Sequence, residues 1–202
     1  TLCFCTTGPQ VIAPFLMKLS FDPVADLAPV VHVHNLSNVL LARADLPANN
    51  VAELLALAKR QPGRISYGTP GRGGPQHLTV ELLQALTGLK MVHVPYKGES
   101  QAFADLAGGQ IDLAIGSVSV SEPLIKAGKI KALAVTGPQR SPALPNVQTV
   151  SESIPGFVAY TFVGINVPAG TPKPVIERLN RAVNEVLADP AVREKMSAQQ
   201  LE

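Results

Sequence analysis

The residues best placed to do chemistry lie in one stretch, RISYGTPGRGGPQHLTVELLQALTG, from Arg64 to Gly88. It reads as a strand, a glycine-rich loop carrying Gly68, Gly71, Gly73 and Gly74, and a helix beginning at Pro75. The first amides of a helix have no partner within it, and the helix dipole places positive charge there, so such a loop can hold an anion. Glycines let a ligand reach the backbone without side-chain obstruction. Thr69 and Gln76 can add side-chain hydrogen bonds. The loop is not a P-loop, because no Lys-Ser/Thr pair follows the glycines, and GTPGRGG does not match the G-x-G-x-x-G dinucleotide pattern. On its own the loop is equally well read as a tight strand-to-helix turn.

Other loops repeat the arrangement. VPYKGESQ follows an apolar strand and precedes a helix, with Tyr96 able to stack or donate, Lys97 able to pair with a carboxylate or stay solvated, and Gly98 and Ser100 at the helix start. IGSVSVSEP offers Ser117, Ser119 and Ser121, and Thr6 to Gln10 forms a Thr-Thr-Gly-Pro loop. Hydroxyls and amides with little fixed charge suit a small carboxylate or polar ligand better than a polyphosphate.

Catalytic chemistry has little support. There is no G-x-S-x-G elbow. His32, His34, His77 and His93 show no triad spacing, and His77 reads as part of a first helical turn. Asp112 in QIDLAIG reads as a structural carboxylate at a strand start. Cys3 and Cys5 fall on one face of a strand and read as two small buried hydrophobes; no second Cys or His pair stands at metal-ligand spacing.

The elements that must position these loops alternate. TLCFCTT is a short strand, QVIAPFLMKL has helical spacing broken by Pro14, and VVHVHNLSNVLLARADL is one or two strands. A helix follows Asn50, its expected N-cap, with Glu53 three residues on and Gly63 as the stop. Strands and helices then alternate through RISYGT, PQHLTVELLQALTG (apolar at Leu78, Leu82, Leu83 and Leu86), KMVHVPY, GESQAFADLAGG, QIDLAIGSV, SEPLIKAGK and IKALAVTG. Pro138 to Gly156 reads as a surface connection. FVAYTFVGINVP is a strand, and two helices broken at Asp189-Pro190 run to Gln200, the first capped by Thr171 with Pro172 in its first turn. This order predicts a parallel or mostly parallel sheet covered by helices, with ligands beyond the carboxyl ends of its strands.

The 202 residues are 46% hydrophobic and 16% charged, with a net charge of +2. That composition supports a sizeable core and gives no case for nucleic acid as a partner. The basic run KAGKIKA lacks interleaved aromatic residues and reads as a solvated helix end. No apolar run reaches the roughly 20 residues of a membrane span.

Taken in order, YGTPGRGGPQHLTVELLQALTG, HVPYKGESQAFADLAGGQIDLAIGS, IKAGKIKALAVTGPQRSPALPNVQTVSES and VPAGTPKPVIERLNRAV resemble the Bug receptors, the periplasmic solute-binding proteins of the tripartite tricarboxylate transporters. TTGPQVIAPFLMKLSFDPVADLAPV resembles the stretch that precedes these blocks in the family. The resemblance implies an α/β, two-domain periplasmic-binding-protein fold (a Venus flytrap of type II-like form) whose halves are joined by two crossing strands. It implies a small carboxylate ligand, a membrane permease as partner, a periplasmic location, and neither cofactor nor enzymatic activity. Residues 1–42 are expected in the first domain, 43–133 in the second, and 134–202 in the crossover and the return to the first. The ligand contacts expected on this basis are Thr6, Thr7, Gln10, Thr69, Gly71, Gly73, Gly74, Gln76, Tyr96, Lys97 and Ser117. The chain departs from the family at Gly74, where a hydroxyl residue is usual, and near Gly116, where an acidic residue is frequent. The family's first strands are expected before Thr1 and its last helix after Glu202, which leaves the first domain incomplete here. Two other readings share this architecture: the effector domain of a transcription regulator, and an enzyme on a similar scaffold.

Overall fold

Asn50 starts the first long helix as its spacing predicts. In the computed structural model, which describes residues 1–198, its side-chain oxygen accepts the Glu53 amide at 2.8 Å, and Glu53 in turn accepts the Asn49 amide at 2.7 Å. The helix that follows, α2 (Val51–Arg60), buries Val51, Leu54, Leu57 and Ala58 along one face. Asn50→Ala should cost about 1 kcal/mol, read as a shift of the urea midpoint.

The chain divides into two compact units: Ser37–Tyr160, and Thr1–Leu36 together with the chain from Thr161 on. The middle unit is longer at both ends than residues 43–133. It begins inside the single long strand β2 (Leu27–Arg43), and it takes in the segment from Pro138 to Gly156. That segment is not a mere surface connection. Leu144, Val150 and nearby Phe157 are buried, a short helical turn at Val150–Glu152 has a full capping box from Thr149, and the Val135 amide donates to Gln148 O.

Within the middle unit, β3 (Ser66–Thr69) lies between β4 (Val92–Pro95) and β5 (Leu113–Ser117), parallel to both. The helices α3 (Pro75–Thr87) and α4 (Glu99–Ala107) make the crossovers that parallel pairing requires. After β5 come α5 (Val118–Lys126), which starts three residues earlier than expected, and β6 (Ile130–Val135). The sheet is mixed, because the second half of β2 pairs antiparallel with both β5 and β6.

Side chains alternate across this half of β2. Leu40 and Ala42 join one core cluster with α2 and α3, while Val39 and Leu41 join the other with α4 and α5. Burial on both faces explains the unbroken apolar run from Val39 to Ala42. On α3 the inward positions are Thr79, Val80 and Leu83. Leu78, Leu82 and Leu86 are exposed, contrary to the expected stripe, and it is Val80 and Leu83 that join the core cluster of Leu40 and Ile115. Gly88 ends the helix in the left-handed conformation, φ 69°.

In the other unit, β1 (Cys3–Thr6) pairs antiparallel with β7 (Tyr160–Pro168), and a π-helical turn, Gly8–Ile12, leads into the short α1 (Ala13–Leu16). The Cys3 and Cys5 thiols share a face, 3.0 Å apart. Only Cys5 is buried; Cys3 is exposed. Burial, with the Cys3 contact, pushes the Cys5 thiol up to about 11. The first C-terminal helix, α6, spans Lys173–Ala188, and its N-cap is the extended Pro172 rather than Thr171. After it comes α7 (Pro190–Ala198). Gln199 and Gln200, expected in that helix, lie outside the described residues, as do Leu201 and Glu202.

Candidate functional site

Because β3, β4 and β5 run parallel, their carboxyl ends Thr69, Pro95 and Ser117 lie along one edge of the middle unit's sheet. The helices α3, α4 and α5 start there, with Gly74, Gly98 and Ser117 as N-caps, and none of the three makes a side-chain capping bond. Several helix-start amides, with the positive ends of three dipoles, therefore gather at this edge. The antiparallel β2 adds Asn38, directly opposite Ser117. The Asn38 amide donates to Thr136 Oγ1 at 3.0 Å.

The glycine loop is braced from beneath. Gly71 and Gly73 have φ of 125° and 76°, values that demand glycine. The fully buried Thr69 donates its hydroxyl proton to Gly71 O at 2.7 Å and lies 2.7 Å from His93 Nε2. With that proton committed, His93 Nε2 is the donor, and His93 Nδ1 is buried without a partner among the described residues. The Gly73 amide donates to His77 Nδ1 at 3.1 Å. The rings of Tyr67, His93 and His77 stack, 5.0 and 4.0 Å apart in turn, and the Tyr67 hydroxyl donates to Glu81.

Burial, followed by the charges of His77 and Arg72, lowers His93 to about 4, and burial lowers His77 as well. Both are neutral at neutral pH, so His77 folds as an acceptor and His93 as a neutral donor, and neither folds as a cation. The unfolded imidazole titrates near pH ~6.5. Below that pH the unfolded chain binds protons that the folded stack refuses, so stability falls as pH drops from about 6.5 toward 4. The melting temperature should decline across this window. His93→Gln should flatten the decline; an unchanged pH profile would show that the stack does not govern it.

The middle-unit residues expected to touch ligand thus divide into two groups. Thr69 and Gly73 direct their polar atoms into the loop's own support, and Gly71 accepts from Thr69. The Tyr96 hydroxyl donates to Asp105 at 2.9 Å, and burial with this bond raises it to about 12. Gly74 is open: a Cβ built there meets only Gln76 Oε1, at 4.0 Å. Gly74→Ser should therefore fit as an N-cap and stabilise α3 by a few tenths of a kcal/mol, measured by urea unfolding. The exposed Lys97 makes no hydrogen bond or ion pair among the described residues, and neither does the exposed Arg72. Gln76 Nε2 lies 3.4 Å from Asn38 Oδ1 and 3.5 Å from Glu99 Oε1. Ser117 donates its amide to Glu99 Oε1 at 3.1 Å and its hydroxyl to Glu99 Oε2 at 2.5 Å.

Thr6, Thr7 and Gln10 fall together in the other unit, at the end of β1 and in the π-helical turn, where Thr7 Oγ1 accepts the Phe162 amide at 2.9 Å. Spacing does not single out Arg72, Asn38 or Glu99. Arg72 sits in a glycine-marked loop before a helix, and Glu99 is the first helical residue after another, which is a usable signal. Asn38 reaches the edge only through the antiparallel register.

The family described as "Tripartite tricarboxylate transporter family receptor" matches residues 1–202. The chain belongs to this receptor family. A family relative from Pseudomonas sp. (strain P51), a UPF0065 protein, is 37% identical over 97% of this chain and 59% of its own length. The chain therefore spans about three fifths of that relative. Among solved structures, R. palustris Rpa4515 with adipate is 30% identical, with a TM-score of 0.84 over 100% of this chain and 68% of that one. MatC from Rhodopseudomonas palustris with bound malate is 27% identical, with a TM-score of 0.81 over 99% of this chain and 69% of that one. The fold of the family receptor is the mixed α/β fold of periplasmic binding proteins.

Proposed function

We propose that this receptor captures a small carboxylate outside the cytoplasm and delivers it to the membrane permease of a tripartite tricarboxylate transporter, acting by binding rather than by catalysis. The observation that carries the reading is the convergence of the starts of α3 and α4, neither with a side-chain cap, beside the unpaired Arg72 and Lys97. Such an edge attracts a compact anion, and its two histidines are held as stack members rather than as bases. The relatives solved with adipate and malate support the ligand class. Gly71, Gly73 and Gly74 shape the loop, while Gln76, Lys97 and Ser117 frame it. Thr6, Thr7 and Gln10 of the other unit are proposed as further ligand contacts, with Thr69 and Tyr96 as supports of the site.

Titration calorimetry of the complete protein with a panel of small carboxylates tests this. Saturable binding is expected, with unfolding free energy rising by about 2.7 kcal/mol at a hundredfold excess over Kd. Turnover of any acid, or no binding across the panel, would remove the reading. Gly73→Val should weaken binding more than Lys97→Ala does. At φ 76° a side chain distorts the loop and lifts its amide from His77, whereas Lys97 contributes a solvated charge.

A further inference from the structure

The anion position at the start of α5 is already filled, by the protein itself. Glu99, the first residue of α4, accepts from both donors of Ser117, the amide at 3.1 Å and the hydroxyl at 2.5 Å, and lies 3.5 Å from the Gln76 side-chain amide nitrogen at the start of α3. The position is shaped for it. A Cβ on Gly116 would stand 2.8 Å from Glu99 Cδ and 2.7 Å from Phe103 Cζ, so only glycine on β5 lets the carboxylate lie over the strand end. Behind Gln76, Asn38 is 3% exposed, with its Nδ2 unpartnered among the described residues.

A second carboxylate brought to this corner meets a like charge that is half-buried and held in place by the Ser117 and Gln76 donors. A hydrogen-bond donor meets an acceptor with capacity to spare, because a carboxylate offers about four lone-pair sites and the protein's own donors occupy three. We infer that Glu99 is a specificity-determining residue that turns the site away from dicarboxylates and toward monocarboxylates carrying a hydrogen-bond donor, an ammonium or a hydroxyl, at the end that faces it. The inference rests on the carboxylate-receptor reading above and narrows it. The ligand's own carboxylate then goes to the glycine loop and Arg72, away from Glu99.

Matched probes test it on the complete protein by calorimetry: succinate against β-alanine and 3-hydroxypropanoate, and adipate against 6-aminohexanoate and 6-hydroxyhexanoate. In at least one set, a donor-bearing acid should bind about tenfold or more tighter than its dicarboxylate partner, a modest ratio for one partly desolvated like-charge contact. The amino and hydroxy arms separate a cation requirement from a simple donor requirement. Glu99→Gln keeps the side chain's shape and should shrink that ratio about tenfold, with the melting temperature reporting that the fold is retained. Preference for the dicarboxylate in every set, or a ratio that Glu99→Gln leaves unchanged, overturns the inference while leaving the receptor reading standing. The first comparison needs no variant. Failure of every acid to bind would overturn both.

Discussion

Asp112→Ala should lower the unfolding free energy by about 3 kcal/mol, the sum expected when hydrogen bonds to a charged group are lost and their donors are left behind. Asp112 Oδ1 accepts Arg43 Nε at 3.0 Å, and Oδ2 accepts the Ser66 amide at 2.9 Å and the Ser66 hydroxyl at 3.0 Å. One carboxylate thereby fastens β2 and β3 to the start of β5. Arg43 keeps Asp45 as a partner, and the Arg43 and Asp112 side chains are 27% and 24% exposed. Water can therefore make good part of the loss, which keeps the figure at the low end of that for a fully buried pair. The cluster sits at the amino ends of β3 and β5, the edge opposite the candidate site, so ligand affinity should not change once the variant is folded. Urea titration with and without a bound carboxylate reads both quantities. A loss of binding without a loss of stability would move Asp112 from scaffold to site.

Gly68→Ala should cost about 2 kcal/mol, the range for forcing an extra methyl into a packed core. The added Cβ would stand 2.6 Å from Ile111 Cδ1, 3.0 Å from Tyr96 Cε2 and 3.3 Å from Ala102 Cβ. Ile111 can turn only within a filled cluster, and Ala102 cannot turn at all. Tyr96 has to move, and its movement strains the bond to Asp105. Because Gly68 is one residue from Thr69, the damage should reach the glycine loop and weaken carboxylate binding as well. Gly98→Ala is the control: a Cβ there meets nothing within 4 Å, and its φ of −176° suits any residue. Equal melting temperatures for the two variants would contradict the close packing of β3 on α4.

The alternation of strands and helices, the glycine-rich turns and the caps at Asn50 and Gly88 were legible in the sequence, because they depend on periodicity and turn chemistry within a few residues. The same local signals located the loops at the strand ends, since a strand–loop–helix order is itself a local pattern. They overreached where burial decides. Spacing alone marks Leu78, Leu82, Leu83 and Leu86 as the apolar stripe of α3, yet of these the sheet accepts only Leu83, together with Thr79 and Val80. The proline-rich stretch after β6 looked like surface until Val150 and Phe157 entered the core.

The site's inner chemistry belongs wholly to the tertiary level. The Asn38–Thr136 bond spans 98 positions and the Ser117–Glu99 bond spans 18, so no window along the chain contains both partners. Thr69, Gly73 and Tyr96 carry polar groups suited to a ligand, but the fold gives those groups to His93, His77 and Asp105. Glu99 reads locally as an ordinary acidic residue in a first helical turn. It becomes a built-in anion only because β4 and β5 flank β3 in parallel and Gly116 leaves room above the strand. Sequence determines which donors and acceptors exist and in what local frame they stand. Which of them satisfy one another, and which remain for a ligand, is decided by the long-range register of the strands, since a buried polar group binds whatever partner the packed chain places within reach.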